Sequence, residues 1–266
     1  MVSLSVGTTP LSSSPVRRFT PQVAALLLLA SVGWALTFGR SRDMGGAIPG
    51  TMGLALPSFL VMWTPMMAAM MLPAVAPLAA VYVRTVKARR GTRLTSFAGG
   101  YVLVWAAAGI PAFVVARLAG RLAEGRPAVA TGAAVTAYAL CGLYQLTPWK
   151  DRCLRQCRSP MSLLLRYGSY SGRFRDLAAG AHHGAYCGGC CWALFVVLIA
   201  VGVMNIPAML VLAGTVAVEK LWSHGIGFAR VVGAVALVLA VAVVWVPSLA
   251  PGLIGSPTGP QMVMNR

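Results

Sequence analysis

The chain has 266 residues, a formal net charge of +17 and a mean hydropathy of +0.76. Only 10% of its residues are charged and 58% are hydrophobic, whereas soluble domains carry about 25% charged residues. The composition therefore excludes an ordinary soluble protein and favours an integral membrane protein. No aromatic-rich basic module accompanies the positive charge, so nucleic acid is not an expected partner.

Six apolar segments are long enough to cross a lipid bilayer as helices, since one crossing takes about 20 residues. They predict an all-α membrane protein, a bundle of about six transmembrane helices within a single integral membrane domain over residues 19–250. The predicted spans are 19–38, 54–82, 97–118, 128–147, 191–214 and 228–249. Residues 1–18 are expected to form a disordered tail, and residues 251–266 a C-terminal tail. We expect the first span to stay uncleaved, because Trp34 and Phe38 stand where a signal peptide needs small residues.

The second predicted span contains a cluster of methionines within the stretch MWTPMMAAMMLP. The cluster consists of Met62, Met66, Met67, Met70 and Met71. On a helix, three of these residues at spacings of four form one stripe. Thioether sulfur binds Cu(I) without losing a proton and has little affinity for zinc. An apolar stripe at helical spacing is also typical of helix packing, so packing and copper(I) binding both remain open.

Lys and Arg residues are distributed unevenly among the segments that join the spans. If both termini lie inside, roughly two thirds of the 22 basic residues fall in inner segments, as the positive-inside rule requires. We therefore expect a multi-pass inner (plasma) membrane protein with both termini in the cytoplasm and with basic inner loops against anionic lipid headgroups. Glu219 and Lys220 are then expected to close the fifth span at the outer face, as a solvated or lipid-facing end.

The long loop between the fourth and fifth spans, about residues 148–187, is predicted to be cytoplasmic. The stretches CLRQC and HHGAYCGGCCW, within and just after this loop, supply its reactive side chains: Cys153, Cys157, His182, His183, Cys187, Cys190 and Cys191. A reducing cytoplasm favours free thiols or metal ligands over structural disulfides. Thiolate and imidazole suit Cu(I) or zinc, so the pattern indicates metal or redox chemistry. Cys141, in the fourth span, is expected to be a small apolar residue near the same region.

Residues and motifs typical of catalytic sites are scarce in this sequence. The chain has five Asp and Glu residues in all, and none is paired at a spacing suited to acid–base catalysis. It contains no Ser-His-Asp constellation, phosphate-binding loop or dinucleotide fingerprint. We therefore expect that the protein is not an enzyme.

Five motifs occur in a fixed order along the chain: MWTPMMAAMMLP, YQLTPWKDRCLRQCRSP, HHGAYCGGCCWAL, GVMN and VEKL. Together they resemble the bacterial predicted metal-binding integral membrane proteins, the family called domain of unknown function 2182. The resemblance covers about residues 55–221 and implies a metal-binding membrane protein. The family's cysteine pattern is present here as Cys153, Cys157, Cys187, Cys190 and Cys191.

These observations predict a membrane protein that binds copper(I) and moves it, or delivers it to a metal-accepting protein. The methionines would bind the ion within the lipid bilayer, and the Cys and His cluster would receive it at the cytoplasmic face. Two alternatives remain open. One is a thiol-redox membrane protein in which Cys187 and Cys190 exchange disulfides with a partner, and the other is a scaffold whose long loop is folded by structural zinc.

Overall fold

A computed structural model of the protein describes residues 21–43, 50–51, 53–85, 89–159, 167 and 172–254. The helices in these residues are α1 (Pro21–Asp43), α2 (Leu56–Thr85), α3 (Arg90–Ala123), α4 (Pro127–Gln145), α5 (Pro148–Arg158), α6 (Arg175–Val201), α7 (Ile206–Leu221), α8 (Gly225–Trp245) and α9 (Pro251–Ile254), with a 3₁₀ turn at Pro247–Leu249. The predicted N-terminal tail, the C-terminal tail after residue 254 and the centre of the long loop lie outside the described residues.

The described part of the chain is all-helical, and six of its helices are long and apolar enough to cross a membrane. They are α1, α2, α3, α4, α6 and α8. The all-α class and the six membrane-length helices agree with the sequence analysis. Five of these helices overlap the predicted spans closely, while the fifth predicted span differs.

The fifth predicted span, over residues 191–214, runs across a break between two helices. α6 begins earlier and ends at Val201, and the next residue, Gly202, has a φ of 114°, a conformation that favours glycine. Asn205 then caps α7 by accepting a hydrogen bond from the backbone N–H of Ala208 at 3.1 Å, and Pro207 stands in the first turn of α7. The chain therefore reverses at residues 202–205 and does not continue outward.

α7 runs antiparallel to α6 and returns toward the middle of that helix. Lys220, near the end of α7, lies 2.6 Å from the sulfur of Cys187 in α6. Glu219 accepts a hydrogen bond at 2.9 Å from Gln145, the last residue of α4. α4 and α7 therefore end in the same layer of the bundle, where α5 also lies and α8 begins.

The helices alternate in direction between the two ends of the bundle. Gly50, which follows α1, packs against Gly120 near the end of α3, so α1 and α3 end on the same side. α8 packs antiparallel to α4 through Gly142 and Gly233. When α7 is counted among the alternating helices, the start of α1 and the end of α8 lie at opposite ends of the bundle.

The three longest helices, α2, α3 and α6, form the centre of the bundle. α3 and α6 run parallel and touch through their backbones, because a Cβ atom at Gly180 would lie 1.9 Å from the carbonyl oxygen of Phe97. α2 is held against α3 by a hydrogen bond of 2.9 Å from Trp63 Nε1 to the carbonyl of Trp105. Small residues at such contacts let membrane helices approach closely. This close packing fixes the position of the cysteine-bearing face of α6.

Candidate metal site

The short helix α5 carries two of the predicted site cysteines, and its sequence contains the signals that start and stop a helix. Thr147 accepts a hydrogen bond from the backbone N–H of Lys150 at 3.3 Å, and Pro148 occupies the first turn. Asp151 lies in the first turn, and Arg155 and Arg158 lie in the last, each placed favourably for the helix dipole. The part of the predicted loop nearest α4 is therefore a defined helix.

A buried ion pair fastens α5 to its neighbours. Lys150 Nζ lies 2.7 Å from a carboxylate oxygen of Glu219, and both side chains are 0% exposed. Lys150 also donates to the carbonyl of Cys190 at 2.6 Å. Arg158, at the other end of α5, donates to the carbonyls of Glu219 and Ser223 at 3.1 and 2.9 Å. α5 is thus held against both α6 and α7, directly over the cysteines.

The burial of Glu219 and Lys220 corrects the expectation that these residues form a solvated outer end. Glu219 is 0% exposed and Lys220 is 9% exposed. The expectation depended on a helix running outward through residue 214. Because the chain turns back at Gly202, α7 instead brings both charges into the layer that contains Cys187.

The cysteines of α6 lie on one face of the helix, together with His183. Cys187 and Cys190 are both 0% exposed and Cys191 is 1% exposed. Cys157 of α5 faces this row, with its sulfur 4.0 Å from the sulfur of Cys190. Cys153 contributes a second sulfur from α5, only 3.3 Å from the position that a side-chain carbon at Gly189 would occupy. The structure therefore brings α5 and α6 cysteines together, and the absence of a side chain at Gly189 permits the close approach.

The sulfur of Cys187 is already engaged by two polar groups. Lys220 Nζ lies at 2.6 Å and the hydroxyl of Tyr101 at 2.9 Å from this sulfur. The thiols of Cys190 and Cys191 donate to the backbone carbonyl of Cys187, at 3.1 and 2.8 Å. The sulfur of Cys187 is therefore engaged by side chains of α3 and α7, whereas the sulfurs of Cys157 and Cys190 face each other.

The two α5 thiols have raised pKa values. For Cys157 the hydrogen bond to Cys190 is the main cause, and burial raises its pKa further. For Cys153 the main cause is burial. Both thiols are therefore protonated at neutral pH when no metal is bound, and a metal ion that binds them must displace protons.

The two histidines lie in different surroundings. His183 is 3% exposed, and its ring stacks with the rings of Phe97 and Tyr101 at centroid distances of 6.3 and 5.9 Å. Within the described residues its Nδ1 atom has no hydrogen-bond partner. His182 is only half-buried, and its Nδ1 lies 3.3 Å from the hydroxyl of Tyr167. His183 thus shares a helix face with the cysteines, whereas His182 does not.

All five predicted methionines lie in α2 and are buried in the same hydrophobic cluster as the α6 cysteines. Trp63 packs against Phe195 at a centroid distance of 6.3 Å, and the hydroxyl of Tyr82 donates to Asp176. The two contacting residues of α2 are as many residues apart as their two partners in α6. Both contacts therefore fit one alignment of these antiparallel helices. That register places Met71 level with Cys187. The methionines therefore extend from the cysteine layer along α2 for about 13 Å.

The described residues contain no group of three or more His, Cys, Asp or Glu side chains that could hold a metal ion. A tetrahedral zinc site of the structural type requires four such ligands. The facing sulfurs of Cys157 and Cys190 instead suit an ion that accepts two sulfur ligands. Two bonds of zinc–sulfur length, about 2.3 Å each, would separate two sulfurs in line with an ion by ~4.6 Å, compared with the 4.0 Å observed here.

Three side chains around the cysteines were missed by the sequence analysis: Tyr101, Lys150 and Lys220. The signal that could have identified Lys220 was its position beside Glu219 at the end of an apolar segment. Ionisable residues at such positions are rare and usually functional. Tyr101 gave no comparable signal, since a tyrosine in an apolar helix is common at membrane interfaces.

Comparison with known proteins gives one family. The family model PpoB2, described as a copper chaperone, matches residues 60–243, which include α5, α6, α7 and most of α2. No curated protein and no solved structure gives a significant match. The matched family is metal-related, as the resemblance in the sequence implied, and it gives no support for zinc. Since the match covers well over half of the sequence, the chain belongs to this copper chaperone family.

Proposed function

We propose that this protein is a membrane copper(I) carrier that receives the ion at the methionines of α2, holds it between Cys157 and Cys190, and delivers it to a metal-accepting protein. It binds and transfers the ion without catalysing a reaction. The ion is cargo, and the soft sulfur ligands select Cu(I) from harder cations.

The observation that carries this proposal is the pair of sulfurs 4.0 Å apart on two different helices. A shift of roughly 0.6 Å in their separation would accommodate an ion between two bonds of ordinary metal–sulfur length. Cys157 is half-buried, whereas Cys190 is 0% exposed. A metal-accepting protein can therefore reach the ion from the side of Cys157, which suits delivery.

The methionines supply a route to this pair. Met71 is level with Cys187, and the register of α2 and α6 places Met67 level with Cys191. All five methionines are at most 2% exposed. Uncharged thioethers hold Cu(I) without a charged group in the apolar core. Stronger thiolate ligands at the end of the row would then draw the ion toward α5.

The lengths of the shorter helices support a position for this site at one membrane face. α4 and α8 have 19 and 21 residues, which correspond to about 28 and 31 Å and match the hydrocarbon thickness of a bilayer. α4 ends, and α8 begins, in the layer of the cysteines. The exposed Arg152 and Arg155 of α5 would then meet anionic headgroups. We place this face in the cytoplasm of an inner (plasma) membrane, where a soluble acceptor can dock.

The two alternative functions are less well supported. A redox protein would use Cys157 and Cys190, whose sulfurs face each other, in place of the predicted pair Cys187 and Cys190 on one helix. Family membership favours copper over this disulfide exchange. A structural zinc clip would need a four-ligand group, and the ion pair of Lys150 with Glu219 already fastens α5 to the bundle.

Competition with a Cu(I) chelator, using anaerobically purified full-length protein in detergent, tests the proposal. Cys157→Ser and Cys190→Ser should each lose tight Cu(I) binding, because one remaining sulfur cannot form the pair. Cys141→Ser is the matched control, since Cys141 is also buried but lies on α4. Equal Cu(I) affinity in all three variants would refute the site, and loss in Cys141→Ser alone would place it elsewhere.

A further inference from the structure

Lys220 is a buried cation whose contacts are unusual for a lysine. Its ammonium group lies 2.6 Å from the sulfur of Cys187. Among the described residues no carboxylate forms an ion pair with it, because the neighbouring Glu219 is engaged by Lys150 and Gln145. The hydroxyl of Tyr101 approaches the same sulfur at 2.9 Å. Two polar side chains, one from α3 and one from α7, therefore engage the sulfur of Cys187.

These contacts matter because Cys187 lies in the same row as Cys190. The sulfur of Cys187 would be a third ligand beside Cys157 and Cys190 if its lone pairs were free. Three or four thiolates suit zinc and cadmium, which prefer higher coordination numbers. With Cys187 engaged by Lys220 and Tyr101, the sulfurs of Cys157 and Cys190 face each other without this third sulfur from α6.

We propose that Lys220 is a specificity-determining residue, which together with Tyr101 withholds Cys187 from the metal and keeps the site at two sulfur ligands. This inference rests on the proposed function, since it assigns a selectivity to the site between Cys157 and Cys190. The class of cargo is a soft monovalent ion that accepts two sulfurs, namely Cu(I) or its analogue Ag(I). Divalent ions that require more ligands are excluded by coordination number.

The lysine is matched to this role by its position. It is only 9% exposed, so water does not compete with the sulfur for its hydrogen bonds. It is carried by α7, whose end is fixed by hydrogen bonds from Arg158 to the carbonyls of Glu219 and Ser223. The ammonium group is therefore held at Cys187 by the fold, and an entering ion must displace it to recruit that sulfur.

Substitution of Lys220 by leucine tests the inference by changing metal selectivity, because leucine removes the ammonium group and adds no metal-binding atom. Full-length Lys220→Leu protein should gain roughly 10- to 100-fold in Cd(II) affinity, the range by which groups around a metal site alter its affinity. The gain is measured from the ultraviolet thiolate-to-Cd(II) absorption during titration. Ag(I) binding should persist, because Cys157 and Cys190 are unchanged. Adding Cys187→Ser to Lys220→Leu should abolish the gained Cd(II) binding.

Two further variants separate selectivity from general damage to the fold. Tyr101→Phe removes the second polar contact of the Cys187 sulfur and should give a smaller gain in Cd(II) affinity. Tyr138→Phe is its control, because Tyr138 donates to a backbone carbonyl.

The failure of this inference is distinguishable from failure of the proposed function. If Ag(I) binding is lost on Cys190→Ser but neither Lys220→Leu nor Tyr101→Phe gains Cd(II) affinity, the role of Lys220 is refuted and the sulfur pair stands. The role of Lys220 is also refuted if Cys187→Ser alone abolishes Ag(I) binding. If Ag(I) binding is indifferent to both Cys157→Ser and Cys190→Ser, the proposed function itself is refuted.

Discussion

Lys150 and Glu219 join α5 to α7 beside the cysteines, and neither side chain is exposed. A buried ion pair contributes little net stability compared with apolar residues, but removal of one partner leaves a buried charge uncompensated. Gln145 donates to the second carboxylate oxygen of Glu219 at 2.9 Å, which completes the set of contacts. The pair therefore acts as a constraint on the position of α5.

Glu219→Gln should lower the free energy of unfolding by about 3–5 kcal/mol, because it leaves the ammonium group of Lys150 buried without its carboxylate. Thermal unfolding in detergent, followed by circular dichroism, measures the loss. The double variant Lys150→Met/Glu219→Gln should lose less than the single variant. Glu124→Gln is the control, since Glu124 is exposed and its substitution should change stability by no more than about 0.5 kcal/mol. A single variant as stable as the double variant would contradict this account.

At the residue scale, the sequence reveals the metal-binding candidates through their chemistry. Thiol, imidazole and thioether groups are recognisable in any fold, so the cysteines, histidines and methionines could be selected. The sequence does not reveal which of them meet. The partners of Cys187 are Tyr101 and Lys220, and their approach depends on the parallel packing of α3 and on the return of α7.

At the scale of single elements, α2 shows how a row of methionines can serve both packing and binding. Its five methionines are nearly completely buried and share one hydrophobic cluster with Cys187 and Cys190. Burial is what helix packing requires, and it is equally what a membrane ligand row requires. The two interpretations differ only in whether the sulfur atom matters.

Replacing Met62, Met66 and Met70 together with leucine separates these interpretations. Such replacements conserve volume and cost less than about 1.5 kcal/mol each in a packed core, so the protein should still fold and insert. Cells that depend on the protein for copper delivery should lose that delivery, because the soft donors are gone. The single variant Met209→Leu, at a buried position in α7, serves as the control. Normal copper delivery by a normally expressed triple variant would show that these methionines serve only helix packing.

The elements themselves were predicted to different degrees. Apolar length was sufficient to identify α1 to α4 and α8, because a membrane-length apolar run leaves few alternatives. The start of α6 was missed because Asp176 and His183 make its first half polar. Arg93 pairs with Asp176 at 2.9 Å, and aromatic rings of α3 cover His183. These partners on another helix allow a polar sequence to continue a membrane-length helix.

At the scale of the whole molecule, the fold places the cysteines of α5 and α6 where long and short helices meet. α2, α3 and α6 have 30, 34 and 27 residues and continue past the layer in which α4 and α7 end. The part of α6 that extends beyond this layer, from its first residue to Cys187, is about 18 Å long. The reversal at Gly202 determines the position of Lys220. A hydropathy profile cannot detect that reversal, because both sides of the break are apolar.

The central claim is that copper(I) is held between a sulfur of α5 and a sulfur of α6. Copper X-ray absorption spectroscopy of full-length protein, loaded anaerobically with stoichiometric Cu(I), tests it most directly because it reports the atoms bound to the metal. The account predicts a two-coordinate copper with sulfur neighbours in the wild-type protein and in Cys141→Ser. It also predicts loss of one sulfur neighbour in Cys157→Ser and in Cys190→Ser. A spectrum dominated by nitrogen or oxygen neighbours, or one unchanged by both substitutions, would contradict the account.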